Sequence, residues 1–127
     1  MVKQELEYKL QTIIGKCPSK SNCYKVIKLG NHASLAKTKV LTDYEKSFYL
    51  QCNQYRNQNI EGLFELKVAV YYDSNRADLD NSLKIILDCL QKVNAIKNDN
   101  NCIRILAEKF IDKASPRIEF SLTEVNN

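Results

Sequence analysis

Two aspartates separated by a single residue are the chain's clearest sign of chemistry. Asp78 and Asp80 are followed at successive steps of four residues by Lys84 and Asp88. Two carboxylates held close together repel each other, and a divalent cation removes that penalty. A lysine one helical turn further on can stabilise charge on a phosphate or a leaving oxygen. The pattern therefore indicates a metal site beside a cation. Helix capping by one aspartate and a surface ion pair of Lys84 are the simpler alternatives.

The flanking sequence predicts a strand before these aspartates and a helix after them. Phe64 to Tyr72 alternates apolar with other side chains, and Leu79 to Val93 carries apolar side chains at helical spacing. Asp78 and Asp80 then lie at or just before the helix start, where residues two apart can point the same way. A helix N-terminus also favours negative charge. This junction between strand and helix is thus the predicted position of the metal site.

A further carboxylate, Asp99, lies in the polar segment 94–101 after the predicted helix. A helix of roughly 14 residues is about 21 Å long, so Asp99 would lie at its far end from Asp78 and Asp80. Asp99 can join their site across a dimer interface, or the segment can extend back along the sheet. A plain turn residue is the alternative, and the sequence does not choose among the three.

The remaining segments predict a single domain over residues 1–127, of α+β or mixed α/β class. It should contain one mixed sheet with two main helices on a face. The first helix is predicted over Asp43–Asn57, with a capping box at Thr42 and Glu45 and a core-facing aromatic stripe. That stripe comprises Tyr44, Phe48, Cys52 and Tyr55. The other predicted strands cover residues 6–14, 24–29, 32–36, 103–111 and 117–123.

Charge is distributed unevenly along the chain, which has 127 residues and a net charge of +4. The segment 16–39 carries six lysines and no acidic residue, whereas the aspartates cluster later. A basic segment facing an acidic cluster suits an enzyme that grips phosphates and holds a metal, although a solvated lysine-rich surface explains the basic segment equally well. The predicted phosphate-contacting residues are Lys16, Lys20, Lys25, Lys28, Lys37, Lys39 and Arg76.

Cysteine and histidine usage narrows the choice of metal and of compartment. Five cysteines without a Cys-x-x-Cys pair predict free thiols in a reducing compartment. Because His32 is the only histidine, a metal must be held mainly by carboxylates, which favours Mg²⁺, with Mn²⁺ as a substitute. No stretch reaches the roughly 20 apolar residues of a membrane span, and the first residues lack the apolar core of a signal peptide. A cytoplasmic protein is expected.

These motifs together resemble the RusA-type Holliday-junction resolvases. The resemblance rests on Asp78-Leu79-Asp80-Asn81, on Lys84 and Asp88, and on the distal Asp99. The loop Pro18-Ser19-Lys20-Ser21-Asn22 is similar to the family's proline-serine-asparagine loop, and Arg117–Leu122 is similar to its last strand. Two departures are visible. Asn98 stands where the family often has a second distal aspartate, and the loop around Cys17 and Cys23 differs from the commoner version rich in proline and arginine.

The resemblance implies a small α/β homodimer that binds branched DNA. Its activity would be Mg²⁺-dependent phosphodiester hydrolysis at four-way junctions, by paired symmetric nicks, in recombination and repair. Asp78, Asp80 and Asp99 would be the essential metal-binding carboxylates, and Lys84 would be the functional lysine. Such proteins are often encoded by phages and prophages, which implies a bacterial or phage-infected cell.

Other functions on the same scaffold stay open at this point. A flap or branched-DNA nuclease would share the carboxylates and differ in its substrate. A non-catalytic protein that binds branched DNA would need no metal. A protein-interaction module with accidental acids would tolerate the replacement of Asp80 by asparagine.

Overall fold

The computed structural model describes residues 9–125. Within that stretch, six strands, two α-helices and two short 3₁₀ turns follow one another. The 3₁₀ turns cover Lys20–Asn22 and Asp99–Asn101. The other elements are β1 (Gln11–Ile14), β2 (Tyr24–Leu29), β3 (His32–Lys37), α1 (Lys39–Gln51), β4 (Phe64–Tyr72), α2 (Asp80–Lys92), β5 (Cys102–Ile111) and β6 (Arg117–Glu124).

Four of the strands form one mixed sheet in the order β1-β6-β4-β5. Strands β4 and β5 are parallel, and α2 is the crossover between them, whereas β6 runs antiparallel to both β1 and β4. The prediction of one mixed sheet with two main helices is confirmed. The expectation that every strand joins that sheet is wrong for β2 and β3, which pair only with each other as a separate hairpin. Gly30 opens the two-residue loop of this hairpin with a φ of 65°, a conformation that glycine adopts without steric cost.

The core lies between one face of the sheet and the two helices. Alternate residues of β4, from Phe64 to Tyr72, are buried and join a single apolar cluster with side chains of α1 and α2. The predicted aromatic stripe is confirmed, because Tyr44, Phe48, Cys52 and Tyr55 are all buried. Their burial fixes the sheet against α1, and the Phe48 ring stacks on Phe120 of β6 with centroids 5.9 Å apart.

Helix α1 begins and ends earlier than the predicted range of Asp43–Asn57. Its N-cap is Thr38, whose hydroxyl accepts a hydrogen bond from the Leu41 amide. The predicted capping box is therefore wrong, and Glu45 pairs with Lys37 instead. At the other end, the Gln11 side chain donates to the Gln51 carbonyl at 2.9 Å and accepts from the Gln54 amide at 2.7 Å. These contacts from β1 satisfy backbone groups that another helical turn would use.

The other predicted elements agree with the structure to within about two residues, apart from the first strand. Helix α2 spans Asp80–Lys92, against a prediction of Leu79–Val93. The first strand was expected over residues 6–14, but β1 covers only Gln11–Ile14, and residues 6–8 lie outside the described chain. All five cysteines have free thiols, as predicted, and four of them are buried. No helix in the described part of the chain has the length and apolarity needed to cross a membrane.

Candidate active site at the carboxyl end of β4

A short loop, residues 73–79, joins the carboxyl end of β4 to α2 and is held from both sides. The buried Tyr72 hydroxyl lies 2.7 Å from the Ser82 hydroxyl, which ties the last residue of β4 to the first turn of α2. From β5, the Lys109 ammonium donates to the carbonyls of Ala77 and Asn75. The loop backbone is therefore fixed at its base, although its side chains reach solvent.

Asp78 and Asp80 lie on this loop and at the start of α2, and both are exposed. Neither carboxylate makes an ion pair or a hydrogen bond with any residue between positions 9 and 125, and α2 has no side-chain cap. The chain's other five aspartates all form ion pairs, namely Asp43, Asp73, Asp88, Asp99 and Asp112. The capping alternative thus fails for both residues.

The two carboxylates act on a common neighbour, the Tyr72 hydroxyl. Burial raises the pKa of Tyr72, and the negative charges of Asp78 and Asp80 raise it further, while the hydrogen bond to Ser82 lowers it. The Tyr72 hydroxyl therefore stays neutral over the ordinary pH range, in its hydrogen bond with Ser82.

A cleft of about 1160 Å³ opens beside Asp78. One wall is the loop after β1, including Lys16 and Ser19, and another is the loop that carries Arg76 and Asp78. Lys16 pairs with Asp73 at 3.2 Å across this cleft. The complete lining comprises Lys16, Cys17, Pro18, Ser19, Ser21, Asn22, Thr38, Val40, Asp73, Ser74, Arg76, Ala77, Asp78, Asn81 and Lys113. Three cations and many hydroxyl and amide groups line the cleft, which suits an anionic chain such as a phosphate backbone.

Lys84 lies between two carboxylates rather than beside Asp80. Its ammonium is 2.6 Å from Asp99 and 3.2 Å from Asp88. The hydrogen bond to Asp99, and to a smaller extent the one to Asp88, raises the pKa of Lys84, so the side chain stays cationic. The surface ion pair with Asp88 that the helical spacing suggested is present, and it accompanies a second contact that the spacing did not reveal.

Asp99 reaches Lys84 within one chain because its segment folds back along α2. The Asp99 amide donates to the Gln91 side chain at 2.9 Å, which anchors the segment on the second half of the helix. The long Lys84 side chain spans the rest of the gap. No group of three or more Asp, Glu, His or Cys side chains within residues 9–125 is arranged to hold a metal ion. In the single chain, Asp99 therefore contacts the cation Lys84 rather than completing a three-carboxylate group with Asp78 and Asp80.

The donor set at Asp78 and Asp80 nevertheless suits a hard divalent cation. Mg²⁺ is commonly held by one or two carboxylates, with water and substrate phosphate oxygens as its remaining ligands. Two exposed carboxylates without partners in the described chain, of which Asp78 lines an open cleft, match that requirement. The role of Asp99 as a third metal ligand stays a prediction.

The predicted phosphate-contacting residues divide into two groups. Lys16, Lys37 and Lys39 pair with Asp73, Glu45 and Asp43 respectively. The others have no carboxylate partner in the described chain, and all are exposed: Lys20 on the first 3₁₀ turn, Lys25 and Lys28 on β2, and Arg76 on the loop after β4. The second group is therefore the better placed to bind an external anion.

Three contributions to this site were missed by the sequence analysis. Lys113 lines the cleft from the segment between β5 and β6, and nothing in its sequence context marks it. The Tyr72–Ser82 hydrogen bond also required the fold. Lys109 did leave a signal, because it interrupts the alternate apolar row of Ile105, Ala107 and Ile111, and in the structure it pairs with the buried Val70 on the core-facing side of β5. A lysine at such a position needs polar partners, and the loop carbonyls supply them.

Comparison with known proteins gives a family for this arrangement. A comparison with curated proteins found no match. The family model described as "Endodeoxyribonuclease RusA" matches residues 18–123, which include the cleft-lining loop, β4, α2 and both carboxylates. The match covers most of the chain, and the mixed sheet with two helices agrees with it. The chain therefore belongs to the RusA family of endodeoxyribonucleases.

Proposed function

We propose that the protein resolves four-way DNA junctions by paired symmetric nicks, with a divalent metal held at Asp78 and Asp80. The observation that carries the proposal is that these two of the seven aspartates have no partner between positions 9 and 125. Both lie at or just before the start of α2, and Asp78 lines a polar cleft. Leaving two neighbouring carboxylates unpaired costs electrostatic free energy, and a bound cation recovers it. The family match supports hydrolysis of DNA as the reaction.

Mg²⁺ is the proposed cofactor, with Mn²⁺ as a substitute. When bound, the ion would lower the pKa of a coordinated water and neutralise charge on the phosphate. Asp78 and Asp80 would hold it, and Asp99 is the proposed third carboxylate, in its own subunit or in a partner. Lys84 keeps its positive charge through Asp99 and Asp88 and adds to the stabilisation of the leaving oxygen.

The protein binds the DNA through its phosphates. Lys20, Lys25, Lys28 and Arg76 are exposed without carboxylate partners in the described chain, and Lys16 and Lys113 line the cleft. Phosphate contacts of this kind give affinity with little sequence readout and make binding fall steeply with salt. A homodimer is proposed as the active form, because its twofold symmetry matches that of a four-way junction and permits two nicks in opposite arms. The compartment proposed is the cytoplasm of a bacterial or phage-infected cell.

Substrate choice tests the proposal. The natural protein is incubated with labelled four-way, flap and linear duplex DNA in Mg²⁺, in Mn²⁺ and in chelator. Paired nicks at symmetric positions of the four-way junction, dependent on metal, are expected. Preferential cutting of flaps would replace junction resolution with a related nuclease activity. Binding of the junction without cleavage in either metal would instead indicate a non-catalytic protein that binds branched DNA.

A further inference from the structure

Strand β5 is a long edge strand whose outer side has no partner in the described chain. It covers ten residues and pairs only with β4, whereas β1 at the opposite edge covers four. Natural proteins usually protect such an edge by keeping it short, or with lysine, proline or a bulge. The register shift next to Phe64 makes Ile103 an extra residue near the beginning of β5, and no proline interrupts the strand. From Arg104 onward the strand has neither a proline nor a bulge, and its one lysine, Lys109, turns its ammonium away from the outer edge to the carbonyls of Ala77 and Asn75.

The same strand is exposed and apolar on both faces. Its large apolar side chains keep between 40% and 55% of their surface exposed, although they belong to an ordered strand. Ile105 and Ile111 extend the core-facing row, whereas Leu106 and Phe110 extend the opposite face. The complete set is Ile103, Ile105, Leu106, Phe110 and Ile111. Apolar surface beside an unpaired backbone edge is typical of a strand that pairs with another chain.

We propose that β5 pairs antiparallel with β5 of a second copy of this chain, about a twofold axis at Leu106. With a twofold axis perpendicular to the sheet, two residues that lie opposite each other have their side chains on the same face. Because side chains alternate between faces along a strand, the two residue numbers are then both even or both odd. Centred at Leu106, the pairing sets Arg104 opposite the partner's Glu108, and this ion pair occurs twice. Centring at Ile105 sets Arg104 against leucine, and centring at Ala107 sets Leu106 against Glu108.

The opposite charges of Arg104 and Glu108 thus favour the register centred at Leu106, with a second copy of this chain as the partner. Glu108 is exposed and has no ion-pair partner within residues 9–125, so it is available to Arg104 of another chain. Arg104 already contacts Glu65 of its own chain at 2.9 Å, with much of its side chain exposed. Lys109 does not oppose the pairing as a surface lysine would, because its ammonium is turned inward to the carbonyls of Ala77 and Asn75.

The pairing would join two four-stranded sheets into one of eight strands, with all the helices on the same face. It deepens the proposed function, since it supplies the surface for the homodimer named there. The same β5 strand carries Lys109, which anchors the loop bearing Asp78. The two candidate sites would therefore be linked through a continuous sheet, each one strand away from the interface.

Substitutions at Leu106 test the interface, since the axis brings this residue against its own copy. The association of the natural protein, Leu106→Glu and Leu106→Lys is measured by sedimentation, with Leu50→Glu as control. Leu50 is a leucine on α1 that is 73% exposed. We expect a dimer for the natural protein and for Leu50→Glu. Each Leu106 variant alone should dimerise at least about 100-fold more weakly, from lost apolar burial and like charges face to face. Mixing the two variants should restore the dimer.

A second measurement does not depend on a charged variant keeping its fold. Leu106→Cys places two thiols across the axis, where opposed Cβ atoms lie about 4.5–5.5 Å apart. A short bis-maleimide should link this variant into dimers at low protein concentration, and should link neither Leu50→Cys nor the natural protein. A dimer that survives Leu106→Glu, or cross-linking equal to that of Leu50→Cys, would place the homodimer on another surface. A monomeric natural protein would overturn both the interface and the homodimer, while junction cleavage is judged separately.

Discussion

Removing the Tyr72–Ser82 hydrogen bond is expected to loosen the loop that carries Asp78 and Asp80. Both side chains are about 1% exposed, and their hydroxyl oxygens are 2.7 Å apart. Ser82→Ala leaves the Tyr72 hydroxyl buried without this partner, which costs about 1–3 kcal/mol of unfolding free energy. Tyr72→Phe should cost about 1 kcal/mol, since Ser82 keeps the Cys17 thiol as a neighbour.

The double variant, Tyr72→Phe with Ser82→Ala, separates the effect of the hydrogen bond on stability from its effect on the position of the loop. When both partners become apolar, no buried hydroxyl of the pair is left unsatisfied, so the loss of stability should be smaller than the sum of the two single losses. The tie between β4 and α2 is nevertheless absent in all three variants. Junction cleavage should therefore fall by about 10- to 100-fold in each of them, as small displacements of catalytic groups do.

Urea unfolding gives the free energies of the four proteins, and single-turnover cleavage of a four-way junction gives their rates. The double-mutant cycle of these free energies gives the coupling energy between Tyr72 and Ser82. Additive losses of stability would show that the hydrogen bond does not link the two residues energetically. Cleavage at the natural rate in the double variant would refute the argument that this bond positions the carboxylates.

Three further changes are predicted. Lys84→Met should lower the cleavage rate by about 10²- to 10³-fold and leave junction binding intact, because the lost charge acts on the leaving oxygen; unchanged turnover would contradict this role. In a salt titration, Lys25→Gln and Lys28→Gln should each weaken junction binding and lower its salt slope by about 0.9 per lost contact. Lys39→Gln should change the binding less, because Lys39 is already paired with Asp43; equal effects would argue against the division of the lysines into paired and unpaired groups. Burial raises the pKa of Cys17 from 9.0 to about 11, so the unfolded chain releases this proton first and stability falls between pH 9 and 11. Urea unfolding should show a shallower fall for Cys17→Ser, and an identical pH dependence would contradict the assignment.

The local part of this architecture could be predicted from the sequence. Alternation marked β4, and helical spacing marked α2 to within one residue at each end, because both elements have one buried side along their whole length. Asp78 and Asp80 could be placed at their junction for the same reason. The aromatic stripe was also correct in its burial, although not in its secondary structure after Gln51.

What failed depends on contacts between distant segments. The end of α1 is determined by Gln11, about 40 residues away, and no local pattern contains that information. The sequence left open where Asp99 lies; in the structure the Gln91 side chain brings its segment back along α2, so that Asp99 contacts Lys84. The hairpin β2–β3 alternates like any strand pair, and only tertiary structure reveals that it stands outside the main sheet.

The most direct test of the central claim compares the two unpaired aspartates with an aspartate that forms an ion pair elsewhere in the chain. Asp78→Asn and Asp80→Asn remove the unpaired carboxylates, and Asp43→Asn removes one from an exposed ion pair on α1, which contributes under about 1 kcal/mol. Each protein is assayed for binding and cleavage of a labelled four-way junction in Mg²⁺. We expect paired nicks from the natural protein and Asp43→Asn, and binding without cleavage from the other two. Cleavage at the natural rate by Asp80→Asn, or intact junctions with the natural protein in both Mg²⁺ and Mn²⁺, would contradict the account.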